Sequence, residues 1–515
     1  MVQVHAYNVA VGHNAGLSVT TGINNNLIGG LAGDALTTGS YNIAIGYNAL
    51  SSEDTGSSNI AIGFHALEDL NYNGSGYNTA VGHAAGRNVS TGVQNTLIGG
   101  LAGDALTTGG FNTVLGYTAL GLEDTGSKAV AVGFGALANQ NYAGDSYNTA
   151  VGYQAGNDIT TGINNTLIGG LAGDALTTGV QNVAIGQGAL GSEDGNGKNV
   201  AIGYSALNAQ NAGSDAYNVA VGYIAGVAVT TGTGNTLIGS WSGDSLTTGS
   251  SNTVLGYDAL STEDAHGTNT AIGYQSLKTL NAGADAYNVA VGYQAGLSVS
   301  TGLYNTLVGG RAGDALTTGG FNVALGFDAL TTEDAHGKNV AIGYSTLTNL
   351  DAGADAYNTA VGFNTGNVLT TGVSNTLLGS QAGDALTTGG YNVAVGHHAL
   401  GAEDGNGRNI AIGFQALASQ NAGADAYNVA IGYDAGVAVT TGTANTIIGG
   451  FAGDALTSGT NNVAIGNTNT AVGYRALSAE TLGDANVAIG SNALRSQNNT
   501  SDTDVFNVAI GHNAG

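Results

Sequence analysis

A five-residue pattern recurs along nearly the whole chain: a polar Asn, three apolar or β-branched positions, then Gly. It reads Asn8-Val-Ala-Val-Gly12, Asn42-Ile-Ala-Ile-Gly46 and Asn95-Thr-Leu-Ile-Gly99, with about thirty copies in all. The leading Asn is lost once, at Ala129. A short β-branched run closed by Gly predicts a strand. Copies open at Asn8, Asn25, Asn42, Asn59 and Asn78, so the steps are 17, 17, 17 and 19 residues. The steps sum to 70, and Tyr7-Asn8, Tyr77-Asn78, Tyr147-Asn148 and Tyr217-Asn218 mark successive blocks of that length. A fixed short period predicts stacked supersecondary units, hence a solenoid.

Within one coil, Leu17-Ser-Val-Thr20 predicts a second strand, ended by Thr21-Gly22. Gly stands fourteen residues after the leading Asn at Gly22, Gly39 and Gly56, where a corner needing positive φ would account for it. Gly12, Gly29 and Gly46 mark the opposite corner. Gly every four to six residues, with no 3.6-residue apolar stripe, excludes helix. The predicted fold is all-β: a parallel β-solenoid, or β-roll, of 17–19-residue coils in a 70-residue four-coil superrepeat. About 28 coils at ~4.8 Å each make a rod of roughly 130–140 Å. Val9 and Val11 share one strand face while Ala10, or Leu27 and Leu97 in the second coil, takes the other. Two apolar faces predict burial on both sides. The few small side chains of one coil also return little against the entropy of ordering it. Packing against copies of the same chain would supply the rest, and a homotrimer is expected.

The column Asn8, Asn25, Asn42, Asn59, Asn78, Asn95 and Asn112 has two structural readings. Stacked amides can bond one another along the axis, or each can cap a turn through nearby backbone. The fourth coil carries extra residues in one loop, Asn71-Tyr-Asn-Gly-Ser-Gly76. The third carries an acidic pair in each block, Glu53-Asp54 through Glu403-Asp404, and the second carries Asp34 and its equivalents. Four coils separate equivalent acids by roughly 19 Å, beyond the ~8 Å Debye length. Lys128, Lys198, Lys338 and Arg408 fall four residues after the second acid, placed for weak exposed ion pairs. The regular shaft is expected over 1–461 and irregular coils over 462–515. There Asn469-Thr-Ala-Val-Gly473 follows Asn462-Val-Ala-Ile-Gly466 after only seven residues, a register break near 466–469.

Composition narrows the function. The chain has 515 residues, 89 Gly, no Pro and no Cys, which removes disulfides and thiolate metal sites. A formal net charge of −26 argues against nucleic-acid partners. No apolar run is long enough for a spanning helix, so membrane insertion is not expected, and Met1-Val-Gln-Val-His-Ala shows no signal-peptide pattern. No catalytic residue emerges, because nearly every carboxylate recurs at 70 residues where an active site would be singular. A glycosidase dyad at Glu53-Asp54 would have to exist six times over. His266 and His336, one block apart, are too distant to share a metal and read as surface histidines. No cofactor is expected, calcium at Asp34, Glu53 and Asp54 being the one weak candidate. Thr37-Thr38 and its equivalents read as turn residues, since an ice-binding Thr ladder would be interrupted in coils three and four. Tyr47, Tyr117 and Tyr257 follow the strand-ending Gly, where they suit either a trimer seam or contact with a host surface glycan. Trp241 replaces the Leu of the Leu31 and Leu101 column and reads as a packing variant.

The run Asn42-Ile-Ala-Ile-Gly-Tyr-Asn-Ala49 resembles the repeats of trimeric autotransporter adhesin heads. Asn269-Thr-Ala-Ile-Gly-Tyr-Gln-Ser-Leu277 is similar to repeats of bacteriophage tail-fibre and neck-appendage proteins, and the likeness covers nearly the whole chain. That resemblance implies a trimeric, left-handed parallel β-roll serving as a stiff shaft or adhesive head. The function expected is therefore a non-enzymatic structural fibre, an extracellular filament or a virion fibre. One alternative is a head-to-tail filament subunit, because Tyr7-Asn-Val-Ala-Val-Gly-His-Asn-Ala-Gly16 and Phe506-Asn-Val-Ala-Ile-Gly-His-Asn-Ala-Gly515 are near copies. A polysaccharide-degrading tailspike is the other.

Overall fold

The computed structural model describes residues 7–465, 470–472, 483–484, 486–497, 503–504 and 506–515. The chain falls into two compact units, Met1–Asn269 and Thr270–Gly515. In the first unit fifteen three-residue strands run from Val9–Val11 to Thr253–Leu255. In the second, twelve run from Thr270–Ile272 to Val463–Ile465. Successive strands within a unit pair in parallel and in register, as in Val9↔Asn26, Ala10↔Leu27 and Val11↔Ile28. The 19-residue coil keeps that register, Ile60 facing Thr79, so its two extra residues are absorbed in the loop. The protein is an all-β parallel β-solenoid with one strand per coil. The second unit also holds a three-stranded parallel sheet, Thr470–Val472, Val487–Ile489 and Val508–Ile510. Ala488, Ala493, Leu494 and Ala509 form its small core, with Ala514 packed against it. The register break expected at 466–469 lies outside the described residues.

Only the middle residue of each strand points inward. Leu27, Ala44, Ala61, Ala80 and Leu97 are buried, and Ala32, Leu36, Ala49, Leu50 and Leu67 from the turns fill the rest of the core. The flanking residues, such as Ile43 and Ile45, remain half-exposed. Burial of both strand faces within one chain is thus not what the coil does. A three-residue strand has one inward side chain by the alternation of the pleat, and the interior is filled by Ala and Leu with some Val and Ile, such as Val114 and Ile447.

The second strand, expected at Leu17–Thr20, is a succession of turns instead. The Leu17 N–H donates to the Asn14 carbonyl and the Val19 N–H to Gly16, each at 3.2 Å, both local i to i+3 bonds. Gly16 and Ser18 also donate to Ala32 and Asp34 in the next coil, so this side is bonded along the axis without being extended. Left-handed residues interrupt it: Asn14 has φ 56° and Gly16 φ 61°. Leu31, Leu50 and Leu67 adopt the same region at 57°, 55° and 48°, against the intrinsic preference of Leu. Stacking on identical turns stabilises them. Thr37 joins this ladder as a turn residue, its Oγ1 donating to the Asp54 carbonyl at 3.0 Å.

Both glycine columns are crowded by the next coil's carbonyl, a Cβ on Gly12 lying 2.3 Å from the Gly29 oxygen, and the first column adds a second cause. Gly12, Gly29 and Gly46 have φ of 141°, 134° and 140°, so positive φ holds there. Gly22 and Gly39 lie outside the left-handed region, contrary to expectation. A Cβ on Gly22 would sit 2.2 Å from the Gly39 carbonyl oxygen, and one on Gly39 2.2 Å from that of Gly56. On Gly56 it would meet the Glu53 carboxylate at 2.4 Å. Close backbone stacking selects Gly at this corner.

The asparagine amide works mainly through backbone. Asn25 Nδ2 donates to the Gly39 carbonyl at 2.9 Å, and its Oδ1 accepts the Asn42 N–H at 2.9 Å. Amide-to-amide contacts occur at scattered steps only, such as Asn59 to Asn42 at 3.4 Å. The exception at Ala129 is compensated. One block earlier a Cβ on Gly76 would lie 2.4 Å from Asn59 Oδ1, whereas Ser146 stands at the position equivalent to Gly76. Removing the amide at Ala129 makes room for Ser146, whose Oγ accepts from Gln140 Nε2 at 3.2 Å.

Two predictions follow from these contacts. Ala129→Asn alone should destabilise the chain, because the new amide meets Ser146. Adding Ser146→Gly should recover that loss, and a double-mutant cycle read by urea unfolding should give a coupling of about 1–2 kcal/mol. Additive effects would refute the exchange. Gly39→Ala should cost about 1–3 kcal/mol by overpacking. Gly283→Asn should cost less than ~1 kcal/mol, since Gly283 has φ 69° with nothing within 4 Å of a built Cβ, and Asn tolerates that region. Equal losses for the two would show that the stacked carbonyl is not what selects Gly39.

Candidate functional site

Two features rise above the repeat: the outward strand face with its aromatic margins, and a set of buried glutamates. On the strand face, Ile43, Ile45, Ile60 and Ile62 sit side by side, half-exposed, and third-position residues reach 38% exposure at Ile168 and 46% at Leu115. Aromatic rings edge this face on both sides. The residue before the Asn is repeatedly aromatic, as at Tyr41, Tyr77, Phe111 and Tyr147, all exposed and all at positive φ. The residue after the strand-ending Gly forms the second margin, where Tyr47, Tyr117 and Tyr257 are 48%, 53% and 50% exposed. These rings stack in short runs. Tyr47 lies 5.6 Å from Phe64, which lies 5.3 Å from His83. Tyr117, Phe134 and Tyr153 repeat the arrangement at 5.8 and 5.5 Å. The backbone at Gly30 approaches the Tyr47 ring, a built Cβ there lying 3.3 Å from Cδ2. Along this second margin ring faces are therefore spent on neighbouring rings and backbone, and ring edges meet solvent. Sugar stacking needs a free face; edges suit packing against another apolar surface. Trp241 is tilted against Tyr223 at 5.9 Å and is 39% exposed, with φ 62° like the leucines of its column.

The acidic pair is divided between interior and surface. Glu53, Glu123, Glu193, Glu263, Glu333 and Glu403 are fully buried, while Asp54 and its equivalents face outward. In the first two blocks both glutamate oxygens accept backbone protons. Glu53 takes the Gly56 N–H at 2.6 Å and the Tyr72 N–H at 3.1 Å. Glu123 does the same with Gly126 and Tyr142, and takes Gln140 Nε2 at 3.0 Å. The glutamate thereby ties the long fourth-coil loop to the third coil. In later blocks Asn196, His266, His336 and Asn406 replace the corner Gly. There Oε1 accepts the N–H of that residue, at 3.2 Å for Glu193, while the N–H groups of Ala212, Ala352 and Ala422 approach the carboxylates of Glu193, Glu333 and Glu403, whose Oε2 makes no close hydrogen bond. Burial pushes the carboxyls of Glu53, Glu123, Glu193 and Glu403 above the usual range. Burial, with the nearby Asp351 and Asp334 carboxylates adding to it, pushes Glu333 up to about 7.

The basic residues pair across coils rather than with the acid four residues before them. Lys128 meets Asp145 at 2.6 Å, Lys198 Asp215 at 2.5 Å, Lys338 Asp355 at 2.5 Å and Arg408 Asp425 at 3.1 Å. Each cation also lies over a tyrosine ring, Tyr147 in the case of Lys128. All are exposed, so solvent screens them and they add little to stability. Asp34, Glu53 and Asp54 are not gathered as a cation site. Among the described residues, the groups with three ligating atoms within 4.8 Å of one another are Glu263, Asp264, His266 and Glu333, Asp334, His336. Each histidine thus meets the acids of its own block. Sequence reasoning compared histidines between blocks and missed this. The signal was present in Glu263-Asp-Ala-His266 and Glu333-Asp-Ala-His336.

Among the described residues no helix is long and apolar enough to cross a membrane. No protein-family model matches the chain, and no curated protein matches it in sequence.

The buried carboxyls predict a sign for the pH dependence. A carboxyl whose pKa is raised on folding stabilises the fold below its unfolded value, near 4.5, and that contribution is lost as pH rises through the folded value. With chelator present, stability should fall from about pH 4.5 to about pH 7, the upper limit set by Glu333. Glu193→Gln should flatten part of this slope, because the amide does not titrate. Glu123→Gln should cost stability at every pH, since both of its oxygens accept protons. Thermal melts across that range decide it; an unchanged slope in the Glu193 variant would refute the assignment.

Proposed function

We propose that this protein is a non-enzymatic structural fibre whose chains associate laterally through the strand face, as a homotrimer. The carrying observation is that coil after coil turns a half-exposed β-branched strand outward between two exposed aromatic margins. Such a continuous apolar surface is uncommon on a monomer, and aromatic residues are enriched where proteins meet. The remaining surface of each coil is Thr, Asn, Asp and Gly in turns bonded along the axis, suited to water. The net charge of −26 then keeps finished fibres apart.

The resemblance to adhesin-head and tail-fibre repeats supports the same reading and extends it to an extracellular or virion shaft with an adhesive role. The absence of a singular carboxylate pair supports a structural rather than a polysaccharide-cleaving role. Incubation with bacterial surface polysaccharide should release no reducing ends above a boiled control, and release would overturn that part of the reading.

Sedimentation equilibrium should give three times the 50.5 kDa chain mass. Ile168→Glu, on the outward face, should weaken association at least tenfold while leaving the far-ultraviolet circular dichroism of the coils intact. A compact monomer in the parent, or an Ile168 variant that assembles as the parent does, would overturn the lateral packing.

A further inference from the structure

We propose that the corner Glu333-Asp-Ala-His336 binds a divalent transition-metal ion of the zinc class through the Glu333 carboxylate, the Asp334 carboxylate and His336 Nδ1, and that Glu263, Asp264 and His266 form a second such site. The argument is independent of the fibre reading. It starts at the corner where the first two blocks carry Gly56 and Gly126 against the buried glutamate. In the fourth and fifth blocks a histidine takes that place and brings an imidazole onto the carboxylate. His336 Nδ1 lies 3.8 Å from Glu333 Oε1, and His266 Nδ1 lies 3.6 Å from Glu263 Oε1. These separations exceed a hydrogen bond. They approach the edge of a tetrahedron around an ion with ligand distances of about 2.0–2.2 Å, which is roughly 3.3–3.6 Å.

Two polar atoms at the corner point the same way. Glu333 is fully buried, and its Oε2 makes no close hydrogen bond although the Ala352 N–H approaches the carboxylate; the buried Nδ1 of His336 has no hydrogen-bond partner. A buried carboxylate oxygen left unpaired costs stability unless a cation compensates it. Asp334 supplies a second carboxylate within 4.8 Å, and Asp351 adds negative potential beside Glu333. One nitrogen and two carboxylate oxygens suit Zn²⁺ and its neighbours better than calcium, which takes oxygen alone. The half-exposed imidazole leaves the ion a path from solvent. Where Asn196 and Asn406 stand at the same corner, Glu193 and Glu403 have no imidazole beside them. Those corners are built-in controls.

The test uses the full chain in chelator-cleared buffer at neutral pH. Calorimetric titration with Zn²⁺ should give two more equivalents in the parent than in His266→Asn/His336→Asn, which copies the residue at Asn196 and Asn406. Each single variant should lose one equivalent. Co²⁺ in place of Zn²⁺ should give a visible absorption band that halves in each single variant and vanishes in the double one. Asp334→Asn in the His266→Asn background keeps the imidazole and the buried glutamate, and should weaken the remaining site at least tenfold. Circular dichroism confirms that each variant folds. Equal uptake by the parent and the double variant, no uptake by the parent at ~1 mM Zn²⁺, or an Asp334 variant that binds as tightly as its background would overturn the proposal.

Discussion

The structure depends on one amide placed at the head of each 17-residue coil. The Nδ2 of Asn165 donates to the Gly179 carbonyl fourteen residues on, closing its own coil, at 2.9 Å. Its Oδ1 accepts the N–H of Asn182, clamping the head of the next coil at 2.9 Å. Both groups are buried, so each bond also satisfies a backbone atom that would otherwise be costly to leave unpaired. Asp could not donate and Gln would reach too far, which explains the near-constancy of the column. The 17-residue step follows where this bond forms; at the head of the 19-residue coils Asn59 Nδ2 turns instead to the Ser57 carbonyl at 3.2 Å, and Ala129 has no amide.

Close stacking then dictates what else the coil contains. Carbonyls that approach a glycine of the neighbouring coil leave no space for a Cβ, and a core one side chain wide holds aliphatic residues no larger than Leu and Ile. The interior is therefore small, and the stabilisation of a coil rests heavily on backbone hydrogen bonds and on its neighbours. That is the physical ground for an outward face able to pack again. Chains joined through that face would bury apolar surface that one chain leaves half in water.

The third coil is where uniformity is relaxed. Its glutamate holds the long loop of the fourth coil from inside, and the corner residue beside it varies among Gly, Asn and His. Gly56 and Gly126 leave the carboxylate to backbone donors, Asn196 and Asn406 set an amide beside it, and His266 and His336 convert the corner to ligand chemistry. One substitution at a fixed position changes what the corner can do without disturbing the ladder on either side.

By itself the sequence determined the repeat, the strand at Asn-x-x-x-Gly, the parallel stacking and the all-β class, because period and β-branched patterning are local properties of the chain. It also marked two columns of corner glycines, but not why each is needed, and it passed over the left-handed turn glycines Gly16 and Gly33. The φ of Gly12 and the crowding of Gly22 look the same in one dimension, since crowding comes from the coil above. Tertiary structure alone decided that Leu17–Thr20 is a run of turns. Leucines such as Leu31 and Leu50 tolerate left-handed backbone only when identical turns stack against them. It alone decided that Glu53 is buried while Asp54 is not, because adjacent carboxylates differ only in which side of the coil they face. And it alone set His336 against Glu333, through a closed corner in which the chain turns back on itself within three residues.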